Sequence, residues 1–571
     1  MRMGNINCQY EQLKYPLFLG ELSGQTSVEA TLDLPENLPR IGMIIGGDFQ
    51  TGPATIKVAE DQIVINGKLY PHLLFMAELA EERRKLYHHS EEQYPDEDNI
   101  QQEMEEYSLP QEYGVGWYGE NGIDYEARME APGIRPQMLV QVEVKPLRGI
   151  FEKESPDRAV FKGSVKLIVH AVQHQTTGII SDINVQSPST ISLVKDSLAV
   201  EEILETKKFT LPVRSNLALS NLKPGIARVL EISAIPTGIS QEIAKGKLFV
   251  KGAIALSLIY VGSNDEGDPT EIFSHDWNQA TGSVMPFETH IDLNNTDGEV
   301  LALARVNTRN VQIELSTPHD LHCQLDLDLE VNLSQIHQKE LVVDAIPGEN
   351  ELMDSKKYLV NLEEYSGETG GQLDLEQQIQ LPGSNAGMER ILSCSGMIEE
   401  VTVEAAEGKA LVEGSLNLRV AYISEGDLER KLHIATWSQG TENRIPLAGV
   451  LEFSGLQSGT LLRTQPILES LKVELVDDRI IKLNGTVQFR ILARTPRALF
   501  VMQDCAMVVP VEESTRPSML FYVVQADDTL WKIARRYQTT METLLKANTI
   551  TNPDNIMIGQ KLVIPKKVIN G

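Results

Sequence analysis

The sequence predicts a mainly β protein, with three tandem β-rich repeat domains followed by a small β-α-α-β module at the C-terminus. Three observations carry this. A strand-like motif occurs three times with the same internal spacing. A second strand-like motif follows each copy. From Phe521 onward the apolar period changes from two to that of a helix. The 571 residues are too many for one core, and 42% hydrophobic residues with 6% aromatics suit a folded chain.

The first motif reads "AEDQIVINGKLYPHLLF" (Ala59 to Phe75), "AKGKLFVKGAIALSLIY" (Ala244 to Tyr260) and "AEGKALVEGSLNLRVAY" (Ala406 to Tyr422). The copies align without a gap, with Gly67, Gly252 and Gly414 at one position and Phe75, Tyr260 and Tyr422 eight residues later. Alternation after the glycine, as in Ile254, Leu256, Leu258 and Tyr260, predicts a strand with one buried face. A glycine inside a strand suggests a bulge or a close backbone approach. Pro71 lacks an N–H, which predicts an edge position or a local irregularity in the first copy.

The second motif is "FKGSVKLIVHA" (Phe161 to Ala171), "LHCQLDLDLEV" (Leu321 to Val331) and "LNGTVQFRILA" (Leu483 to Ala493). Gly252 to Cys323 and Gly414 to Gly485 are both 71 residues, whereas Gly67 to Gly163 is 96. The first repeat therefore carries about 25 extra residues, found after Phe75, where eight carboxylates fall between Glu91 and Glu106 with no Lys or Arg. That stretch is expected to be a short helix followed by a solvated loop. Copies two and three share more: "GIARVL" at Gly225 and "GMERIL" at Gly387, and Trp277 and Trp437, each nine residues before a proline (Pro286, Pro446). The two tryptophans are expected in the core. The expected domains are 17–180 with an acidic insertion at 76–112, then 195–340, 355–500, a linker at 501–519 and the module at 520–567.

Charge and motifs exclude several functions. The formal net charge of -30 argues against nucleic acid, which needs a cationic face. No apolar run is long enough to span a bilayer, and the N-terminal "MRMGNINCQYEQLKYP" has no signal-peptide core. Cys8, Cys323, Cys394 and Cys505 are scattered without metal-ligand spacing and are expected as free thiols or core residues of a cytoplasmic protein. No phosphate-binding loop, nucleophile elbow or zinc motif occurs. His88 and His89 lie in the charged insertion, where a solvated surface is the expectation. A non-enzymatic protein without cofactor or metal is expected.

In the C-terminal module "FYVVQ" reads as a strand, and Leu530, Ile533, Ala534 and Tyr537 form one helical face behind Asp527 and Asp528, expected as caps. Thr539 and Glu542 suggest a capping box for a second helix carrying Leu544 and Leu545, and "KLVIP" closes the module. Tyr522-Val-Val, Asp528-Thr529-Leu530, Ile533-Ala534, Ala547-Asn548, Asn552-Pro553, Gly559-Gln560 and Leu562-Val-Ile-Pro565 closely resemble the LysM domain. One departure is Asp527, where that family usually has Gly. The resemblance implies a shallow groove for N-acetylglucosamine-containing glycans, formed by Asp527, Asp528, Thr529 and Leu530 with Asn555, Ile556, Met557 and Ile558. Leu530 and Ile556 are read equally well as core. Seven Lys/Arg against four Asp/Glu make the module net +3, on a remainder of net -33.

The triple A-x-x-x-x-x-[IV]-x-G motif and the G-x-x-R-[IV]-L before copies two and three resemble the SPOCS domain of endospore formers. Three such repeats with a terminal LysM resemble the clostridial-type spore coat morphogenetic proteins. That resemblance implies a mother-cell scaffold at the forespore surface whose LysM docks to a coat morphogenetic ATPase. The alternative it leaves is a peptidoglycan or glycan-precursor binding protein.

Overall fold

Alternation sustained over 28 residues, as in Ile6–Asp33 and Arg158–Val185, buries one face only where other layers cover its whole length. The computed structural model shows how three repeats meet that demand together. It describes all residues except 1–5, 37, 79–112, 118–121, 186–189, 265, 279–280, 294–297, 349–351, 384, 425–430, 439–443, 509–518, 538, 551, 553–555 and 566–571. Most of the acidic insertion, with His88 and His89, lies outside the described residues.

Repeat 1 runs β1 (Ile6–Asp33), β2 (Ile41–Thr51), β3 (Thr55–Ala59), β4 (Gln62–Ala77), β5 (Tyr113–Trp117), β6 (Ile123–Glu130), β7 (Leu139–Ser155) and β8 (Arg158–Val185). Repeat 2 runs β9 (Ile191–Ala218), β10 (Gly225–Ala244), β11 (Lys247–Ser263), β12 (Pro269–Trp277), β13 (Met285–Asp292), β14 (Glu299–Leu315) and β15 (Asp320–Pro347). Repeat 3 runs β16 (Leu352–Gln380), β17 (Met388–Ala406), β18 (Lys409–Ser424), β19 (Leu432–Trp437), β20 (Ile445–Glu452), β21 (Leu461–Leu475) and β22 (Ile480–Val508). The expected mainly β architecture is what the described residues form.

Each repeat has the same two sheets. Its first and last strands pair antiparallel end to end, as β1 with β8, β9 with β15 and β16 with β22. The penultimate strand (β7, β14 or β21) flanks the last one. The second sheet is centred on the glycine-motif strand, β4, β11 or β18. One side of that strand pairs with β2 and β3, or with the single strands β10 and β17. Two short strands share the other side. Pro71 is thus on a central strand and not at an edge. The irregularity it demands is nevertheless present: pairing on one side passes from β6, ending at Leu69, to β5, starting at His72. The close approach predicted at the glycine is also present. A Cβ on Gly67 would lie 2.6 Å from the Tyr125 hydroxyl, and one on Gly252 would lie 2.7 Å from the Phe287 ring.

A register shift near the middle divides each long pair, between Phe18 and Glu21, Leu333 and Ser334, and Tyr365 and Gly367. The inner halves pack on their own second sheet. In repeat 2, Leu321, Cys323, Leu325, Leu327 and Leu329 face Leu248, Val250, Ile254, Leu256 and Tyr260. In repeat 3, Leu483, Val487, Phe489 and Ile491 face Val412, Leu416, Leu418 and Tyr422. Trp277 and Trp437 are core as expected, and their Nε1 atoms donate to the carbonyls of Ala218 (3.1 Å) and Gln380 (2.9 Å).

The outer halves bury against the other repeats. Equivalent residues meet in one hub: Leu13, Leu198 and Val360; Tyr15, Val200 and Leu362; Ile179, Leu341 and Val501. Ile180, Val342 and Met502 continue it. A second hub joins the other sheets through Ile45, Leu230 and Leu392 with Leu74, Ile259 and Ala421. The short strand of one repeat touches the second strand of the next, β5 on β10, β12 on β17 and β19 on β2, so the three repeats close into a ring. The strands begin at Ile6, ahead of the expected 17, span 191–347 and 352–508 in repeats 2 and 3, and run to Val508 inside the expected linker 501–519. The outer halves contribute little to their own repeat's core, so a single repeat reads as shorter than it is.

Between the hubs lies a charged layer. Arg494 donates from Nε (2.8 Å) and Nη2 (2.7 Å) to Glu201 of repeat 2, both side chains being buried, and its guanidinium lies 4.1 Å from the Phe18 ring centroid of repeat 1. Arg305 pairs with Glu143 across the junction of repeats 1 and 2 at 3.0 Å. His170 lies among Arg463, Arg305, Glu143 and Arg494; burial first, and then the arginines, push its pKa down to about 4.

Glu201→Ala leaves a buried guanidinium uncompensated and is expected to cost about 3–5 kcal/mol in denaturant unfolding. The double change Glu201→Leu with Arg494→Met is expected to cost less than that single one, and equal or greater loss would show the charges to be net stabilising. His170 is neutral in the folded protein, while in the unfolded chain it takes up a proton below its ordinary 6.5. The stability it contributes is therefore complete above 6.5 and is lost as pH falls toward about 4, by at most about 3 kcal/mol. His170→Asn is expected to flatten that part of the urea-midpoint profile against pH.

Candidate ligand groove in the C-terminal module

The module runs β23 (Met519–Val523), α1 (Leu530–Arg536), α2 (Met541–Asn548) and β24 (Lys561–Pro565). β23 and β24 pair antiparallel, with Met519 opposite Pro565 and Val523 opposite Lys561. Val524, Leu530, Ile533, Ala534, Leu544, Leu562 and Ile564 form its core. Asn548 ties α2 to β24: its side-chain nitrogen donates to the Val563 carbonyl at 2.8 Å, and its side-chain oxygen accepts from the Val563 N–H at 2.5 Å.

Both helices are capped one residue away from the positions read in the sequence. Thr529 caps α1, its hydroxyl accepting from the Lys532 N–H at 3.2 Å. Thr540, not Thr539, caps α2 by accepting from the Thr543 N–H at 3.2 Å, while Glu542 pairs with Lys546. Asp528 caps no helix. Its carboxylate turns back to accept from the Tyr522 hydroxyl (2.6 Å) and the Gln525 N–H (2.8 Å), fixing the turn after β23.

The two predicted loops lie side by side. The Gly559 N–H donates to the Val524 carbonyl at 2.8 Å, and the Val524 N–H donates to the Gln560 carbonyl at 2.9 Å. Gln560 Oε1 also accepts from the Met557 N–H at 2.9 Å, which sets the second loop. The eight predicted residues divide into distinct roles. Leu530 is 1% exposed and belongs to the core, and Ile556 packs against it. Asp528 and Thr529 hold the first loop. Met557 (68% exposed) and Ile558 (74%) stand out as an apolar lip, with Asp527 exposed on the facing loop. Asn555 lies outside the described residues.

Asp527 has φ +65°, a left-handed backbone that favours Gly and that Asp tolerates better than most residues. This accounts for glycine as the usual residue there: the turn needs the conformation, and Asp meets it while adding a carboxylate. Its own carbonyl accepts from Lys532 Nζ at 3.0 Å.

One surface was not read from the sequence. Trp531 is exposed on α1, and the Arg535 guanidinium lies 4.9 Å from its ring centroid. The same guanidinium donates to the Pro347 carbonyl at the end of β15, tying the module to the ring. The signal was a tryptophan off the apolar face of the helix, followed four residues later by an arginine.

The β-α-α-β order, the single antiparallel pair and the paired loops define a LysM-type module. The family described as "LysM domain" matches residues 522–565, and that described as "SipL, SPOCS domain" matches residues 387–476. The chain therefore carries a LysM domain at its C-terminus and a SPOCS domain within repeat 3. Curated relatives include a spore coat assembly protein ExsA of Bacillus cereus, 47% identical over 53 residues (9% of this chain and 8% of the relative). A cortical fragment-lytic enzyme of Bacillus subtilis is 47% identical over 47 residues (8% and 11%). SpoIVD-associated factor A, also of Bacillus subtilis, is 44% identical over 50 residues (9% and 13%). The chain thus spans a small fraction of the length of the relatives it matches. No solved structure matches. Among the described residues there is no cluster of His, Cys, Asp or Glu that could hold a metal, and no helix long and apolar enough to cross a membrane.

Asp528→Ala is expected to raise amide exchange at Gln525 and across the first loop, with a module stability loss of about 1–3 kcal/mol. Ile558→Glu is expected to leave exchange across the module unchanged, because the side chain is exposed.

Proposed function

We propose that this protein is a non-enzymatic scaffold of endospore coat assembly in the mother cell, docking through its LysM module to a coat morphogenetic ATPase on the forespore surface. The observation that carries the reading is the exposed lip of Met557 and Ile558, with Asp527 exposed on the facing loop, on the net-cationic module of an acidic chain. An apolar anchor ringed by charge is the usual anatomy of a protein contact. Among the described residues, the pocket where Arg305, Arg463 and Arg490 converge is far smaller than a substrate site. The relatives named for spore coat assembly and for association with SpoIVD support the same setting.

A second reading keeps the glycan as ligand. The LysM match favours it, as does the likeness to a cortical fragment-lytic enzyme. Backbone amides of the two loops around an apolar lip suit an N-acetyl group. Capture from sporulating cells, with the full chain, the Ile558→Glu variant and a chain ending before residue 519, is set beside sedimentation with peptidoglycan. The scaffold reading expects the ATPase to be captured by the full chain, at least tenfold less by the variant, and not by the truncated chain. Sedimentation of the full chain with peptidoglycan, together with undiminished protein capture by the truncated chain, would establish the glycan reading instead.

A further inference from the structure

The three seams of the ring are not alike. Two are clasped by the arginine of the G-x-x-R-[IV]-L motif. Arg228 of repeat 2 donates to the Tyr113 carbonyl of repeat 1, and Arg390 of repeat 3 donates to the Ile272 carbonyl of repeat 2 at 2.9 Å. At the third seam, between repeats 3 and 1, the equivalent position is Met43, which has no donor to give. This is also the seam that no chain connection crosses, because repeat 1 leads into repeat 2 and repeat 2 into repeat 3. Among the described residues its side-chain pairs include Lys166 with Glu400 at 3.7 Å and Tyr10 with Asp504 at 3.4 Å.

The same seam brings Cys8 of β1 and Cys505 of β22 together, with their sulfurs 2.8 Å apart although they are 497 positions apart in sequence. Both are free thiols packed in the outer hub with Ile183 and Ala345. The other two cysteines have no such neighbour: Cys323 is buried in the core of repeat 2, and the Cys394 sulfur faces the Leu471 carbonyl.

We propose that Cys8 and Cys505 are a built oxidation site, and that a small-molecule disulfide of the glutathione class converts them to a disulfide that closes the ring covalently. The step balances. The Cys8 thiolate attacks one sulfur of the oxidant, forming a mixed disulfide and expelling one equivalent of thiol. The Cys505 thiolate then attacks the Cys8 sulfur, forming the protein disulfide and releasing the second equivalent. The two protein thiols lose two electrons and two protons, and the oxidant is reduced to two thiols. Cys8, half-buried, is the more accessible partner; burial pushes the Cys505 thiol up, which makes the second step slow and base-dependent. Once formed, the bond closes nearly the whole chain into one loop and opposes separation of the one seam that nothing else covalent spans.

The test uses the full chain, purified reduced and incubated with oxidised glutathione at mildly alkaline pH. Free thiols are expected to fall from the four in the sequence to two. Mass spectrometry of a digest is expected to show a peptide pair joined through Cys8 and Cys505, and the oxidised protein should melt higher than the reduced one until dithiothreitol is added. Cys8→Ser, conservative at a half-buried site, is expected to keep its three thiols throughout and to show no gain in melting temperature. A thiol count that stays at four overturns the proposal, and so does Cys8 recovered as a glutathione adduct with Cys505 still free.

Discussion

The structure depends on how the outer halves of three long strand pairs are covered. Each pair presents apolar side chains well past the end of its own second sheet, and water would otherwise meet Leu13, Leu198, Val360 and their neighbours. Fully burying one such side chain contributes about 1.5–3 kcal/mol. The hub gathers three equivalent sets, so each repeat completes the core of the other two. The ring follows from this constraint: a lone repeat would expose half of its strands.

The charged layer sets how that burial is arranged. A hydrophobic hub alone would tolerate slippage along the strands, since one leucine packs much like another. Arg494 on Glu201, with the Phe18 ring beneath, admits a single alignment of three repeats at once. The residues here differ between repeats: Val172, Asn332 and Arg494 occupy equivalent positions. Threefold symmetry therefore holds for the apolar hubs and fails in the polar layer, as is needed when one chain must place three similar units in a defined order.

Much of this was legible in the sequence because it repeats locally. The glycine at Gly67, Gly252 and Gly414 announced a strand approached closely by another residue, and the tryptophans announced the core. What was not legible lies between repeats. The ends of the outer halves fell outside the expected domains, as at 6–16 and 501–508, because their burial comes from residues hundreds of positions away, and Cys8 and Cys505 read as scattered for the same reason. In the module, Leu530 was read equally as ligand floor and as core, since both need an apolar residue; only its burial distinguishes them. Thr540 was displaced by Thr539 as the expected cap because adjacent threonines offer the same hydroxyl.

Each repeat begins and ends at the same place, because its first strand pairs with its last over their full length. The start at Ile6, the two connections near Ile191 and Leu352, and the exit at Val508 toward the LysM module therefore gather at one pole of the ring. The other pole holds the far ends of those strands, Asp33 with Arg158, and close to them Glu78, whose N–H donates to the Arg40 carbonyl just before the acidic segment begins. A strand of 28 residues separates the two, roughly 90 Å if straight. The molecule is thus a spacer with unlike ends: a basic module at one, the root of a carboxylate-rich segment at the other, and a rigid β body fixing the distance between whatever each end meets.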